Sequence, residues 1–133
     1  MGGFIVLQLG YGMQGKASLE DILENKSITK VMVADISDEI WALPEKLKDQ
    51  RVEPVKLDMR DENSVLELMR KSDVIIELLP GEYALPAAKL AAEAGVSLVS
   101  AMYLFNPGEQ DETKKELQRE EISRLNETAK SKG

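Results

Sequence analysis

The residues best suited to chemistry are three glycines in Gly10-Tyr11-Gly12-Met13-Gln14-Gly15 and an acid, Asp35, about twenty residues beyond them. The glycines follow the apolar run Phe4-Ile5-Val6-Leu7-Gln8-Leu9 and open a stretch with helical spacing. In that context Gly10 makes the turn, Gly12 lets a diphosphate approach without a Cβ in the way, and Gly15 lets helix and strand pack closely. Main-chain amides across Tyr11, Met13 and Gln14 at the start of the helix are then free to hold the phosphates. Asp35 directly follows Val31-Met32-Val33-Ala34, where it can accept hydrogen bonds from an adenosine ribose. The alternative for the glycines is a tight packing turn, and for Asp35 a helix cap. After Asp35 come Ile36 and Ser37, so no Arg or Lys stands ready for a 2′-phosphate, and the acid repels one. The expected cofactor is NAD, with NADP disfavoured.

Asp58 in Val55-Lys56-Leu57-Asp58-Met59 falls where an adenine edge would lie, though it could equally cap a following helix. Leu79-Pro80-Gly81 ends a further apolar run, at the point where the strand order should reverse. Two polar residues interrupt buried runs, Gln8 in the first and Glu77 in the fourth. A buried carboxylate needs a partner, so the expectation is a Gln8–Glu77 hydrogen bond, direct or through a water. Tyr103 ends the fifth run and reads as packing. No catalytic group and no metal-ligand set is assigned.

These residues need a scaffold, and the apolar runs at 4–9, 31–34, 52–57, 74–79 and 96–102 provide one. They are apolar throughout, as strands covered on both faces are, and helical segments separate them. The first helix is expected over Met13–Glu24 with Ala17, Leu19, Ile22 and Leu23 inward. A turn capped near Ser37 and a helical piece near Pro44 follow, then a helix capped by Asp61 carrying Val65, Leu66, Leu68 and Met69. An alanine-rich helix over 83–94 should stop at Gly95. The pattern is a doubly wound, Rossmann-type α/β domain with a parallel sheet in the order 3-2-1-4-5. Beyond Gly108 the chain turns strongly polar, and residues 109–133 read as one long acidic surface helix with Leu117, Ile122, Leu125 and Ala129 as its seam. A helix closing on Ala129-Lys130-Ser131-Lys132-Gly133 normally runs into another strand, so the domain reads as cut short.

A chain of 133 residues, 43% of them hydrophobic, has room for one core. With no Cys or His, disulfides, zinc-thiolate sites, thiol catalysis and the commonest general base are excluded. A formal charge of −7 opposes a nucleic-acid partner, and the apolar runs fall far short of a membrane span. Met1-Gly2 is followed by Val6 where a myristoylation signal has Ser or Thr, and the expected location is cytoplasmic.

The glycine turn, Val33-Ala34-Asp35, Val55-Lys56-Leu57-Asp58, and Leu78-Leu79-Pro80 leading through the alanine-rich segment 87–96 to Met102-Tyr103 resemble the N-terminal nucleotide-binding domain of the saccharopine dehydrogenase family. The resemblance implies an oxidoreductase that oxidises amines or reduces imines with NAD or NADP. It also implies a second domain, absent here, that supplies the amino-acid or imine substrate pocket and homodimer contacts. Two features depart from the family pattern: Tyr11, where a small residue is usual, and the acidic stretch 106–121. Relatives using NADP tend to carry Ser-Arg after the second strand, so Asp35-Ile36-Ser37 is closer to the lysine 6-dehydrogenase-like branch. On this reading the chain binds NAD but catalyses nothing alone. A rival of another class is an NAD-sensing regulatory domain of a potassium-transport system.

Overall fold

The computed structural model describes residues 3–100. The expected strands and helices alternate along the chain: β1 (Phe4–Leu9), α1 (Met13–Glu24), β2 (Ile28–Asp35), a 3₁₀ turn (Asp38–Ala42), α2 (Leu43–Leu47), β3 (Val52–Lys56), α3 (Glu62–Arg70), β4 (Val74–Glu77), a second 3₁₀ turn (Gly81–Tyr83), α4 (Ala84–Ala94) and β5 (Ser97–Ser100). All four strand pairings are parallel and the order is β3-β2-β1-β4-β5. The expected segment 109–133 and Tyr103 lie outside the described residues.

Alternation along the central strands divides the core in two. Leu7, Leu9, Met32, Ala34 and Ile75 pack with Val65 and Met69 of α3 and Ala87, Leu90 and Ala91 of α4. Their neighbours Val6, Val31 and Val33 pack with Leu19 of α1 and with Ile40 and Leu43. Each face is therefore sealed by a different pair of connections, which is why these strands carry few polar positions. Ala17 departs from expectation: it is exposed, and the inward row of α1 runs through Gly15, Leu19, Ile22 and Leu23. The spacing of four, three and one residues traces one helical stripe, and position 17 falls off it.

Local chemistry sets the ends. The Asp61 carboxylate accepts from the Ser64 amide to start α3, and the Ser37 hydroxyl accepts from the Glu39 amide to start the first 3₁₀ turn. Gly95 stops α4 with φ +75°, a conformation that glycine adopts without strain. Among the described residues, no helix is long and apolar enough to cross a membrane.

Arg51 closes the corner between α1 and β2. Its guanidinium donates to the carbonyls of Leu23, Asn25 and Ile28 while its fork grips the Asp49 carboxylate at 2.7 Å. Arg51 holds the Asp49 carboxyl at a pKa of about 2, below its ordinary 3.8. Arg51→Met should cost about 2 kcal/mol, since it strands carbonyls at a helix end. Because the folded-state value is depressed, the contribution from the Asp49 carboxylate is present above about pH 4 and fades as pH falls toward 2. Urea unfolding of both chains across that window should show their difference narrowing.

Candidate dinucleotide-binding site

The carboxyl ends of β1, β2, β3 and β4 open onto one cavity of about 520 Å³, a size usual for small-molecule sites. Of the residues singled out in the sequence, Gly10, Tyr11, Gly12, Met13, Gln14, Asp35, Ile36, Asp58, Leu79 and Pro80 all line it. Gly15 lies beneath the turn.

The three glycines have three different physical reasons. Gly10 adopts φ +102°, and an added Cβ would stand 2.8 Å from the Leu78 carbonyl oxygen, so the β1 turn and the β4 turn touch there. At Gly15 a Cβ would stand 2.7 Å from the Gly10 carbonyl oxygen, inside the helix–strand contact. Gly12 has no such constraint among the described residues: its Cβ would meet none of their atoms within 4 Å, and its φ of −86° suits any residue. Gly12 is also the N-cap of α1, and no side chain closes the first turn. A helix start left without a side-chain cap and facing a cavity suits an anion, because its amides and its dipole both favour negative charge.

Asp35 is held from two sides. The Tyr11 amide donates to Oδ2 at 2.6 Å and the Ser37 amide donates to Oδ1 at 2.8 Å, so the carboxylate ties the glycine turn to the end of β2 and the Tyr11 amide, expected to be free for a phosphate, is already taken. The Tyr11 side chain packs against the core on the α1 side, with the Lys16 ammonium 5.8 Å from its ring centre. Burial, then Glu20 and Glu39, raise the Tyr11 pKa. Ala34, Leu57, Met59 and the exposed Ile36 supply apolar lining to the cavity. Asp58 sits beside that lining, gripped by the Arg60 fork at 2.7 Å, which holds its carboxyl at about 2. Asp61, rather than Asp58, caps α3.

The expected Gln8–Glu77 contact is corrected by strand register. Gln8 pairs with Ile76 and Leu9 with Glu77, so the two side chains leave opposite faces of the sheet. Each is fully buried, and each folds onto the loop that follows its own strand. Gln8 Nε2 donates to the carbonyls of Gly10 and Gly15, both at 3.0 Å. Glu77 accepts from the Leu79 amide at 2.7 Å and from the Ser100 hydroxyl at 2.9 Å. Glu77→Ala should cost about 1–2 kcal/mol, because the half-buried Leu79 amide at the end of β4 loses its acceptor and the Ser100 hydroxyl loses one contact. Thermal denaturation checks this. Ala34, Leu57, Met59, Leu78 and Tyr83 also line the cavity and were missed in the sequence. Ala34, Leu57, Met59 and Leu78 adjoin Asp35, Asp58 and Leu79 in the chain, the one signal available for them, while Tyr83 carries none.

The family model described as the saccharopine dehydrogenase NADP binding domain matches residues 6–133. The chain belongs to this family. It is thus a nicotinamide-dinucleotide-binding domain of Rossmann type. Among solved structures, it is similar to apo histidine-tagged saccharopine dehydrogenase (L-Glu forming) from Saccharomyces cerevisiae, with 23% identity and a TM-score of 0.66 over 86% of this chain and 24% of that one. It is also similar to scyllo-inositol dehydrogenase from Lactobacillus casei with bound NAD(H) and scyllo-inositol, with 18% identity and a TM-score of 0.63 over 95% of this chain and 34% of that one. At these identities the solved structures speak to the fold. The domain spans about a quarter to a third of the length of these two relatives.

Proposed function

We propose that this chain is the NAD-binding domain of an amino-acid oxidoreductase, resembling saccharopine dehydrogenase and lysine 6-dehydrogenase, that acts at a carbon–nitrogen bond. The observation that carries the reading is Gly12, a glycine that packing does not require, at an uncapped helix start on the cavity wall. A Cβ there would stand only where a ligand stands. The amides at the start of α1 hold the diphosphate, the Asp35 carboxylate receives ribose hydroxyls, and Leu57 and Met59 flank the adenine with Asp58 at its rim. The main chain at Leu79-Pro80 borders the part of the cavity next to β4. The nicotinamide, once bound, accepts or gives the hydride.

The substrate pocket, the acid–base groups and the dimer contacts come from a second domain, as in the family. Isothermal titration of this chain with NADH and with NADPH tests the cofactor reading: heat with both and tighter binding of NADH is expected, and heat with neither overturns it. A longer protein carrying this domain should reduce NAD in the presence of an amino-acid amine. Activity confined to alcohols would overturn the carbon–nitrogen assignment.

A further inference from the structure

We infer that Gln8 is a positioning residue for the diphosphate turn: its side-chain amide clamps the Gly10 and Gly15 carbonyls beneath the loop and so fixes both ends of the segment that carries the Gly12, Met13 and Gln14 amides. The inference rests on the dinucleotide reading above and adds to it a residue that lies outside the glycine pattern. Gln8 interrupts the apolar run of β1 and is fully buried. Its Nε2 donates to Gly10 O and Gly15 O, both at 3.0 Å, which are the first and last glycines of the turn. The assignment of nitrogen and oxygen is settled by chemistry, because two carbonyl oxygens can be served only by the NH₂ end. The other end, Oε1, is buried with no hydrogen-bond partner among the described residues.

That unpaired oxygen shows what kind of residue Gln8 is. A side chain retained only for core stability would be apolar at this position, as its sheet neighbours Val33 and Ile76 are. Gln8 instead leaves one polar atom unsatisfied in order to bridge two carbonyls across the turn. The bridge has a geometric consequence. With the Gly10 and Gly15 carbonyls fixed inward, the intervening peptide units are held at both ends, and the amides at the start of α1 need not reorganise when an anion arrives. The clamp also adds to the crowding at position 15, where a Cβ, already 2.7 Å from the Gly10 carbonyl oxygen, would lie 3.1 Å from Gln8 Nε2.

The test separates diphosphate from nucleoside. Gln8→Met keeps length and shape and removes both donors. With the full chain, ADP and adenosine are titrated against the unaltered and variant proteins. The expected result is a loss of about tenfold or more in ADP affinity, with adenosine affinity changed less than twofold, because the clamp shapes only the phosphate subsite. An equal loss for both ligands would make Gln8 a general core residue and overturn the inference, as would no loss for either. A preference for ADP over adenosine that is missing in the unaltered chain would instead overturn the dinucleotide reading. If Gln8→Met does not fold, NMR of the unaltered chain decides. The Gln8 side-chain amide protons should exchange slowly with solvent and shift on adding ADP but not adenosine. Fast exchange, or the same shift with both ligands, would overturn the clamp.

Discussion

Gly12→Val should leave the chain folded and lower its affinity for NADH by about a hundredfold. No atom of the described residues lies within 4 Å of the new Cβ, and the backbone at φ −86° accepts any residue, so the stability change should stay within about 1 kcal/mol, most of it from replacing glycine at an N-cap. A ligand diphosphate meets the added methyls directly and loses contact with the helix amides. Two lost hydrogen bonds to a charged group are worth about 3 kcal/mol together, which gives the expected factor. Gly15→Ala is the opposite case. Its Cβ is driven to 2.7 Å from a backbone carbonyl oxygen and cannot be relieved by a side-chain rotation. It should destabilise the fold by about 1–3 kcal/mol before any ligand is added. Thermal unfolding and calorimetric titration on the two variants therefore give crossed results: a nearly unchanged midpoint with lost binding for one, and a lowered midpoint for the other. A Gly12→Val chain that binds NADH normally would remove the main support for the proposed function.

The distribution of these effects also shows what the sequence could reveal. Spacing located the turn because the geometry that glycine permits is local, as at Gly10 and Gly12. It locates both ends of α1, Met13 and Glu24, because an amphipathic stripe repeats within the helix itself. β2 begins three residues before the expected start, since Ile28 and Lys30, on either side of an irregularity at Thr29, are recruited by pairing with β1, a partner their own composition does not specify. β4 ends at Glu77 rather than at Leu79 for the converse reason, because the Glu77 side chain takes the Leu79 amide into a turn. The partners of Gln8 and Glu77 were illegible for a related cause. Polarity inside an apolar run announces that a partner exists, while the partner's identity depends on register, and a one-residue offset between neighbouring strands sends two side chains to opposite faces. Both residues support the site through the loops that follow them, so the polar positions of the central strands belong to the cavity's architecture more than to the core.

Cofactor choice should turn on Asp35, and the unaltered chain should bind NADH roughly thirtyfold more tightly than NADPH. A unit charge 4 Å from a carboxylate costs about 4 kcal/mol at the effective dielectric near a protein surface, and halving this for the partial exposure of Asp35 leaves about 2 kcal/mol. Among the described residues, Lys56 is the cation paired with Asp35 in the sheet, but its ammonium lies 2.7 Å from the Asp38 carboxylate in an exposed pair. Such a pair is weak, so Lys56 can be drawn toward a phosphate, yet the move leaves Asp38 uncompensated beside Asp35 and the local balance stays negative. Asp35→Asn removes the charge and should bring the two affinities within about threefold of each other, with most of the change coming from stronger NADPH binding. It also has a structural cost. Tyr11 and Ser37 donate to the two different oxygens, so one amide must face an NH₂ group instead of an acceptor, and stability should fall by about 1–3 kcal/mol. Measuring both affinities in Asp35→Asn and in Lys56→Gln separates the two influences, because the second change should weaken NADPH binding alone. Tighter binding of NADPH than NADH by the unaltered chain would mean that Lys56 outweighs both aspartates, and the carboxylate at the end of β2 would then serve only to brace the glycine turn through Tyr11.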